Sequence, residues 1–132
     1  MKILFASHTG VFTGGAEKSM LLLALKAKVN NEITFNIPDG NTEYISKLSE
    51  HNINYTQILK DKDKTAFKGI FNLSFISKVF KRLKYIVKFY RYLKKINPDI
   101  IYLNTIRTTS ELIACKLAGK KTLMHLRGFD DK

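Results

Sequence analysis

Cysteine is nearly absent from this 132-residue chain: Cys115 stands alone, so no internal disulfide can staple the fold, and a reducing compartment suits it. Metal chemistry lacks its usual ligands too, because three scattered histidines (His8, His51, His125) and one thiol offer no metal-ligand spacing. No uninterrupted apolar run approaches the roughly 18 residues of a membrane span. Met1-Lys2 leads straight into an apolar segment rather than a signal peptide. Acidic residues are scarce, 11 against 23 Lys plus Arg, for a net charge of +12. None falls between Asp63 and Asp99, where Lys64, Lys68, Lys78, Lys81, Arg82, Lys84, Lys88, Arg91, Lys94 and Lys95 all lie. Such a balance draws a protein toward polyanions: nucleic acid, anionic lipid or a phosphorylated ligand. The expectation is a cytoplasmic protein, soluble or at most peripheral on the inner face of a membrane.

What is present reads as alternating strands and helices. The 45% hydrophobic content is enough for one domain-sized core. Residues 2–7 form a nearly continuous apolar strand, as in a parallel sheet covered on both faces. A helix is expected from Ala16 to Val29, stopped by Asn30-Asn31, and a second strand over 32–37 ends at the turn signal Pro38-Asp39-Gly40. A short helix over 42–51, a strand over 53–58 and a polar, basic connection over 60–72 follow. The spacing then predicts a long helix over 73–96, stopped by Asn97-Pro98, and a fourth strand over 99–104. Thr108-x-x-Glu111 reads as a capping box for a helix over 109–118 that closes on Gly119, before a fifth strand over 121–126. The fold class is therefore α/β, a doubly wound parallel sheet of about five strands in one domain. Ligands belong at the carboxyl ends of the strands in such a sheet.

Three features point to chemistry. The first is the loop from Ser7 to Gly15, where a buried strand breaks at Gly14-Gly15 and starts a helix; free N–H groups and the positive helix end make a seat for phosphate or another anion. Gly10-x-x-x-x-Gly15 begins like a P-loop, but Ala16-Glu17 stands where Lys and Ser/Thr would grip phosphate and magnesium, and no GxGxxG is present. Ser7-x-Thr9-Gly10 is similar to the phosphate loop of flavodoxins, which hold FMN, although this chain is basic and lacks Trp. The plainer reading is a tight turn and close helix packing. The second is the long basic helix. Its stripe Ile76, Val79, Phe80, Leu83, Ile86, Val87, Tyr90 and Leu93 is expected to be core. Lys81, Arg82, Lys84, Lys88 and Arg91, with Phe89 and Tyr92 as anchors off the stripe, fit either a solvated face or contact with an anionic membrane surface; nucleic acid is the weaker alternative. The third is His125 at the end of the fifth strand, beside Arg127 and Gly128, with His8 in the same crevice.

Lys2-Ile3-Leu4-Phe5 with Gly14-Gly15-Ala16-Glu17-Lys18, then Asn97-Pro98-Asp99-Ile100-Ile101, then His125-Leu126-Arg127-Gly128-Phe129, together resemble the amino-terminal domain of GT-B glycosyltransferases of family 4. The resemblance spans nearly the whole chain. It implies a Rossmann-like domain, one half of a GT-B fold, that takes part in sugar transfer from a nucleotide-sugar donor to a lipid-linked or polysaccharide acceptor. Retention of anomeric configuration, no metal and no cofactor beyond the nucleotide sugar, and a role in cell-envelope polysaccharide or glycolipid assembly are implied with it. Carried onto this sequence, Gly14 and Gly15 sit against donor diphosphate and acceptor and His125 approaches the transferred sugar; His8 and Arg127, by their position at the strand ends, are expected to line the same site. The carboxyl-terminal nucleotide-sugar domain has no counterpart here, so the chain is expected to be a truncated half that does not turn over alone. A flavodoxin-like FMN electron carrier and a non-catalytic membrane-surface binding module are the alternatives.

Overall fold

A computed structural model describes residues 1–12, 14–39, 42–60 and 73–126. Five strands, β1 (Lys2–Ala6), β2 (Glu32–Asn36), β3 (Asn54–Thr56), β4 (Ile100–Asn104) and β5 (Lys121–His125), alternate with four helices, α1 (Gly15–Lys28), α2 (Thr42–Glu50), α3 (Leu73–Ile96) and α4 (Thr109–Leu117). All four strand pairings are parallel, in the order β3-β2-β1-β4-β5. The direction of winding reverses between β1 and β4, and ligands enter sheets of this type at that switch point. The order is that of the dinucleotide-binding type of sheet and differs from the 2-1-3-4-5 order of flavodoxins. The flavodoxin alternative is thereby overturned, on topology rather than on loop sequence.

Strand alternation distributes the apolar residues to both faces. Phe5, Ile33, Phe35 and Tyr102 point toward α1 and α2, where Met20, Ala24, Tyr44 and Leu48 complete one core. Leu4, Ala6, Ile101 and Leu103 point the other way and meet Ile86, Phe89, Leu93 and Cys115 of α3 and α4. Full burial of each large side chain in these layers contributes roughly 1.5–3 kcal/mol relative to exposure. The register Ala6↔Asn36, Ala6↔Leu103, Asn36↔Thr56 and Asn104↔His125 brings all five carboxyl ends level along one rim.

Two expectations about helices need correction. The expected stripe is core only in part: Ile86 and Leu93 are buried and Tyr90 packs against them, but Ile76 is 56% exposed, Phe80 71% and Leu83 52%, and Tyr85 and Phe89 from outside the stripe complete the buried set. Length explains the shift. A helix of 24 residues runs about 36 Å at 1.5 Å per residue, whereas the five-residue strands span about 17 Å. The helix leaves much of its length with no sheet beneath it, and the exposed stripe begins in that overhanging part. Phe89, expected as a surface anchor, is fully buried, and Tyr92 is half-buried with its hydroxyl donating to Thr56 Oγ1 at 3.0 Å. Phe89 is thereby removed from any surface contact. Lys81, Arg82, Lys84, Lys88 and Arg91 are exposed.

The capping box also fails. Thr108 does precede α4, but its hydroxyl donates to Thr105 O at 2.7 Å instead of accepting from the helix. Glu111 turns inward and is completely buried. A tertiary partner for the carboxylate outcompetes the local cap. The helix closes as expected, with Gly119 at φ +65° where a side chain would be strained.

Candidate functional site at the carboxyl rim

The loop after β1 is tied down by its own side chains. Ser7 N donates to Asn36 O at 3.1 Å, prolonging the β1–β2 pairing by one residue, and Ser7 Oγ donates to Thr9 O at 2.7 Å. Gly10 N donates to Asp39 Oδ2 at 2.9 Å, and Phe12 N to Glu43 Oε2 at 3.5 Å. These are amides that a phosphate-cradling loop would offer to its ligand. Here two of them meet carboxylates of the protein.

Gly14 is the N-cap of α1, in extended backbone at φ −82° and ψ 152°, and Gly15 is the first helical residue. The two glycines differ in need. A Cβ on Gly14 would fall 2.1 Å from Glu17 Oε2, whereas nothing lies within 4 Å of one on Gly15. Glu17, in the first turn of α1, folds back over Gly14, is 4% exposed, and complements the positive helix end. Its Oε1 lies 3.6 Å from His8 Nδ1, beyond hydrogen-bond reach. Burial, the larger cause, holds the His8 imidazole below its ordinary pKa, with Arg107 and Lys60 pushing the same way while Glu17 and Glu111 oppose them. His8 is therefore neutral near pH 7.

Across the switch point, β4 ends in a strained corner. Thr105 adopts φ +87°, a rare state for a β-branched residue. Four hydrogen bonds hold it there. Its N donates to His125 O at 3.0 Å, its Oγ1 accepts from Arg107 N at 3.3 Å, and its carbonyl accepts from Thr108 N at 3.3 Å and Thr108 Oγ1 at 2.7 Å. Backbone outliers of this kind cluster at functional sites. The corner buries Asn104 completely, and among the described residues neither polar atom of its carboxamide has a hydrogen-bond partner.

His125 lies beside Asn104 in the β4–β5 register and is exposed at the rim. Tyr102 Oη sits 2.7 Å from its Nδ1, with the two rings at 86° to one another. Tyr102 is itself buried and packed at a tilt against Phe5, so this bond fixes the orientation of the imidazole.

Below the rim on the other face, Glu111 Oε1 accepts from Tyr85 Oη at 2.7 Å and pairs with Lys60 Nζ at 2.5 Å. Lys60 also lies 4.8 Å over the Tyr85 ring. Burial first, then the Glu111 charge, drives the Tyr85 phenol pKa up. The tyrosine thus stays a donor.

Of the residues singled out from sequence, the rim gathers His8, Gly14, Gly15 and His125, while Arg127 lies outside the described residues. Lys60, Asn104, Thr105 and Glu111 were missed. Only Glu111 carried a signal, and its spacing from Thr108 pointed to a cap. Among the described residues no group of His, Cys, Asp and Glu is arranged to hold a metal, and no helix is long and apolar enough to cross a membrane. A surface depression of about 570 Å³ lies at the opposite, amino edge, lined by Met1, Lys2, Asn30, Asn31 and Asn97 among others.

No protein-family model matches the chain, and no curated protein matches it in sequence. Solved structures do match in shape. MurG of Acinetobacter baumannii superposes with a TM-score of 0.69 at 20% identity, covering 97% of this chain and 36% of MurG. A glycosyltransferase from Rickettsia africae gives 0.64 at 18%, covering 93% and 28%. The fold is one half of a GT-B architecture. The chain spans about a third of the length of these enzymes. The C-terminal domain of PF1911 hydrogenase from Pyrococcus furiosus shares the fold as well, with a TM-score of 0.59 at 14% identity over 94% of this chain and 90% of that domain. Chemistry has to be argued from the rim, not from the fold.

Proposed function

We propose that the carboxyl rim is the acceptor-side wall of a retaining family 4 glycosyltransferase, which moves a sugar from a nucleotide-sugar donor to a lipid-linked or polysaccharide acceptor of the cell envelope. The observation that carries the reading is that His8 and Gly14 share Glu17 as neighbour after β1, and His125 lies beside Asn104 after β4, on either side of the switch point of a half-GT-B sheet. Glu17, Asp39 and Glu43 stand close to the glycine loop, so a neutral, hydroxyl-rich acceptor suits that part of the rim better than a diphosphate. Neutral His8 offers a hydroxyl ligand a proton acceptor or donor, whichever tautomer it holds. His125, aimed by Tyr102, faces the open side of the rim, where a second domain would bring the donor. The cations and helix ends that stabilise a departing diphosphate belong to that second domain, and charge stabilisation of this kind is usually the largest part of catalysis.

The test joins the chain to the carboxyl-terminal half of a GT-B enzyme and follows release of nucleoside diphosphate with pooled glycan and polyprenyl-linked acceptors. Turnover that falls about a hundredfold in His125→Ala is the expected result. Absence of acceptor-dependent turnover, or turnover indifferent to His125, overturns the reading.

A further inference from the structure

The threonines that close β4 each have a use. The Thr105 hydroxyl accepts from Arg107 N at 3.3 Å, and the Thr108 hydroxyl donates to Thr105 O at 2.7 Å. Asn104 is the exception. It is 0% exposed, and among the described residues neither its Nδ2 nor its Oδ1 meets a partner. A buried carboxamide in that state has given up its hydration with nothing in return. Native folds keep few such groups, and each calls for a reason. Packing supplies none, because leucine has nearly the same shape and no polar atom to desolvate. Support of the corner supplies none either: the bonds that keep Thr105 at φ +87° come from Arg107, Thr108 and His125.

Position supplies one. Leu103 is level with Ala6, so Asn104 stands level with the start of the glycine loop. Strand alternation puts it on the face of Tyr102, whose hydroxyl meets His125. Ile106 and Arg107, next along the corner, are exposed. We infer that Asn104 is the residue that reads the ligand of this rim: when the corner relaxes, its carboxamide takes a pair of adjacent hydroxyls, Nδ2 donating to one oxygen and Oδ1 accepting from the other. A carboxamide sets a donor beside an acceptor, and vicinal hydroxyls return an acceptor beside a donor. A phosphate or carboxylate would accept from Nδ2 and leave Oδ1 against negative charge. The strain acts in the same direction. The closed corner carries both the unpaired carboxamide and the left-handed threonine, so a ligand that satisfies the first as the second is released draws the corner open. A ligand lacking one of the two hydroxyls leaves half of the carboxamide unpaired, which is where selectivity arises. The inference rests on the reading of the rim as an acceptor wall and names the side chain that sets its preference.

The test uses the chain itself, 15N-labelled and titrated with glucose, galactose and N-acetylglucosamine, with cyclohexanol as the control that has one hydroxyl and no neighbour to it. In the wild type the Asn104 side-chain amide signals move with the sugars and stay still with cyclohexanol. Asn104→Leu weakens sugar binding about tenfold or more, as loss of a buried polar contact does. The same variant unfolds at an equal or higher urea concentration, because the group it removes was unpaired. A lower urea midpoint, or failure to fold, overturns the inference by showing that the carboxamide supports the structure. Sugar-induced shifts at His8 and Gly14 with the Asn104 amide unmoved, or binding unchanged in Asn104→Leu, overturn it while the acceptor reading stands. Cyclohexanol moving the Asn104 amide as far as the sugars do overturns it too. No shift with any of the three sugars removes both.

Discussion

At the scale of single residues, the glycine pair at the start of α1 separates into one position that is required and one that is not. Gly14→Ala puts a methyl group against the Glu17 carboxylate and forces it from its buried place; Gly15→Ala meets open space. The first substitution is expected to cost about 1–2 kcal/mol in urea unfolding and the second to stay within about 0.5 kcal/mol. NMR titration supplies a second reading. Glu17 raises the His8 pKa, so displacing it in Gly14→Ala makes His8 titrate lower still, while Gly15→Ala leaves it unmoved. The same histidine sets a pH dependence. Its folded pKa is held below 6.5, its ordinary value, so the unfolded chain takes up the proton first. Stability is full above that value and falls as the pH drops below it, and His8→Gln should make the fall shallower in thermal melts across the acid range. The sequence exposed the glycines and both histidines because each ends a strand in a recognisable break. Nothing in the sequence marked Thr105 or Asn104, since a strained φ and a buried carboxamide arise from the packing of β4 against β5.

At the scale of elements, the tie between Lys60, Glu111 and Tyr85 joins the segment after β3 to α3 and α4. Lys60→Met leaves a completely buried carboxylate with, among the described residues, the tyrosine hydroxyl as its one partner and is expected to cost about 3–5 kcal/mol. Lys60→Met combined with Glu111→Met removes both charges and should recover most of that loss, because a matched apolar replacement of a buried pair is often neutral. Urea midpoints for the single and double variants check this. Failure of the double variant to recover would show that the tie does more than neutralise itself. Element boundaries were largely legible: the 3.6-residue spacing, Asn97-Pro98 and Gly119 placed α3 and α4 within a residue. The buried side of α3 was not legible. Apolar residues occur on two of its faces, and periodicity cannot tell which one meets a sheet that is shorter than the helix. β3 was expected to be longer too, and its three residues reflect an edge strand paired on one side only.

At the scale of the whole molecule, strand order carried the most weight and was the least readable beforehand. Alternation of strands and helices implied a parallel sheet, but the 3-2-1-4-5 order distinguishes this fold from the flavodoxin arrangement, and no local motif encodes it. That order puts the glycine loop and His125 along one edge, with α3 overhanging beside them. If the rim is an acceptor wall, it should recognise hydroxyl-rich ligands with no second domain present. The direct measurement is a 15N NMR titration of the chain with glycan and glycolipid acceptors. Shifts gathered at His8, Gly10, Gly14, Gly15, the 104–108 corner and His125 are the expected result. Shifts confined to the amino-edge depression around Lys2 and Asn30, or none with any acceptor, would contradict it.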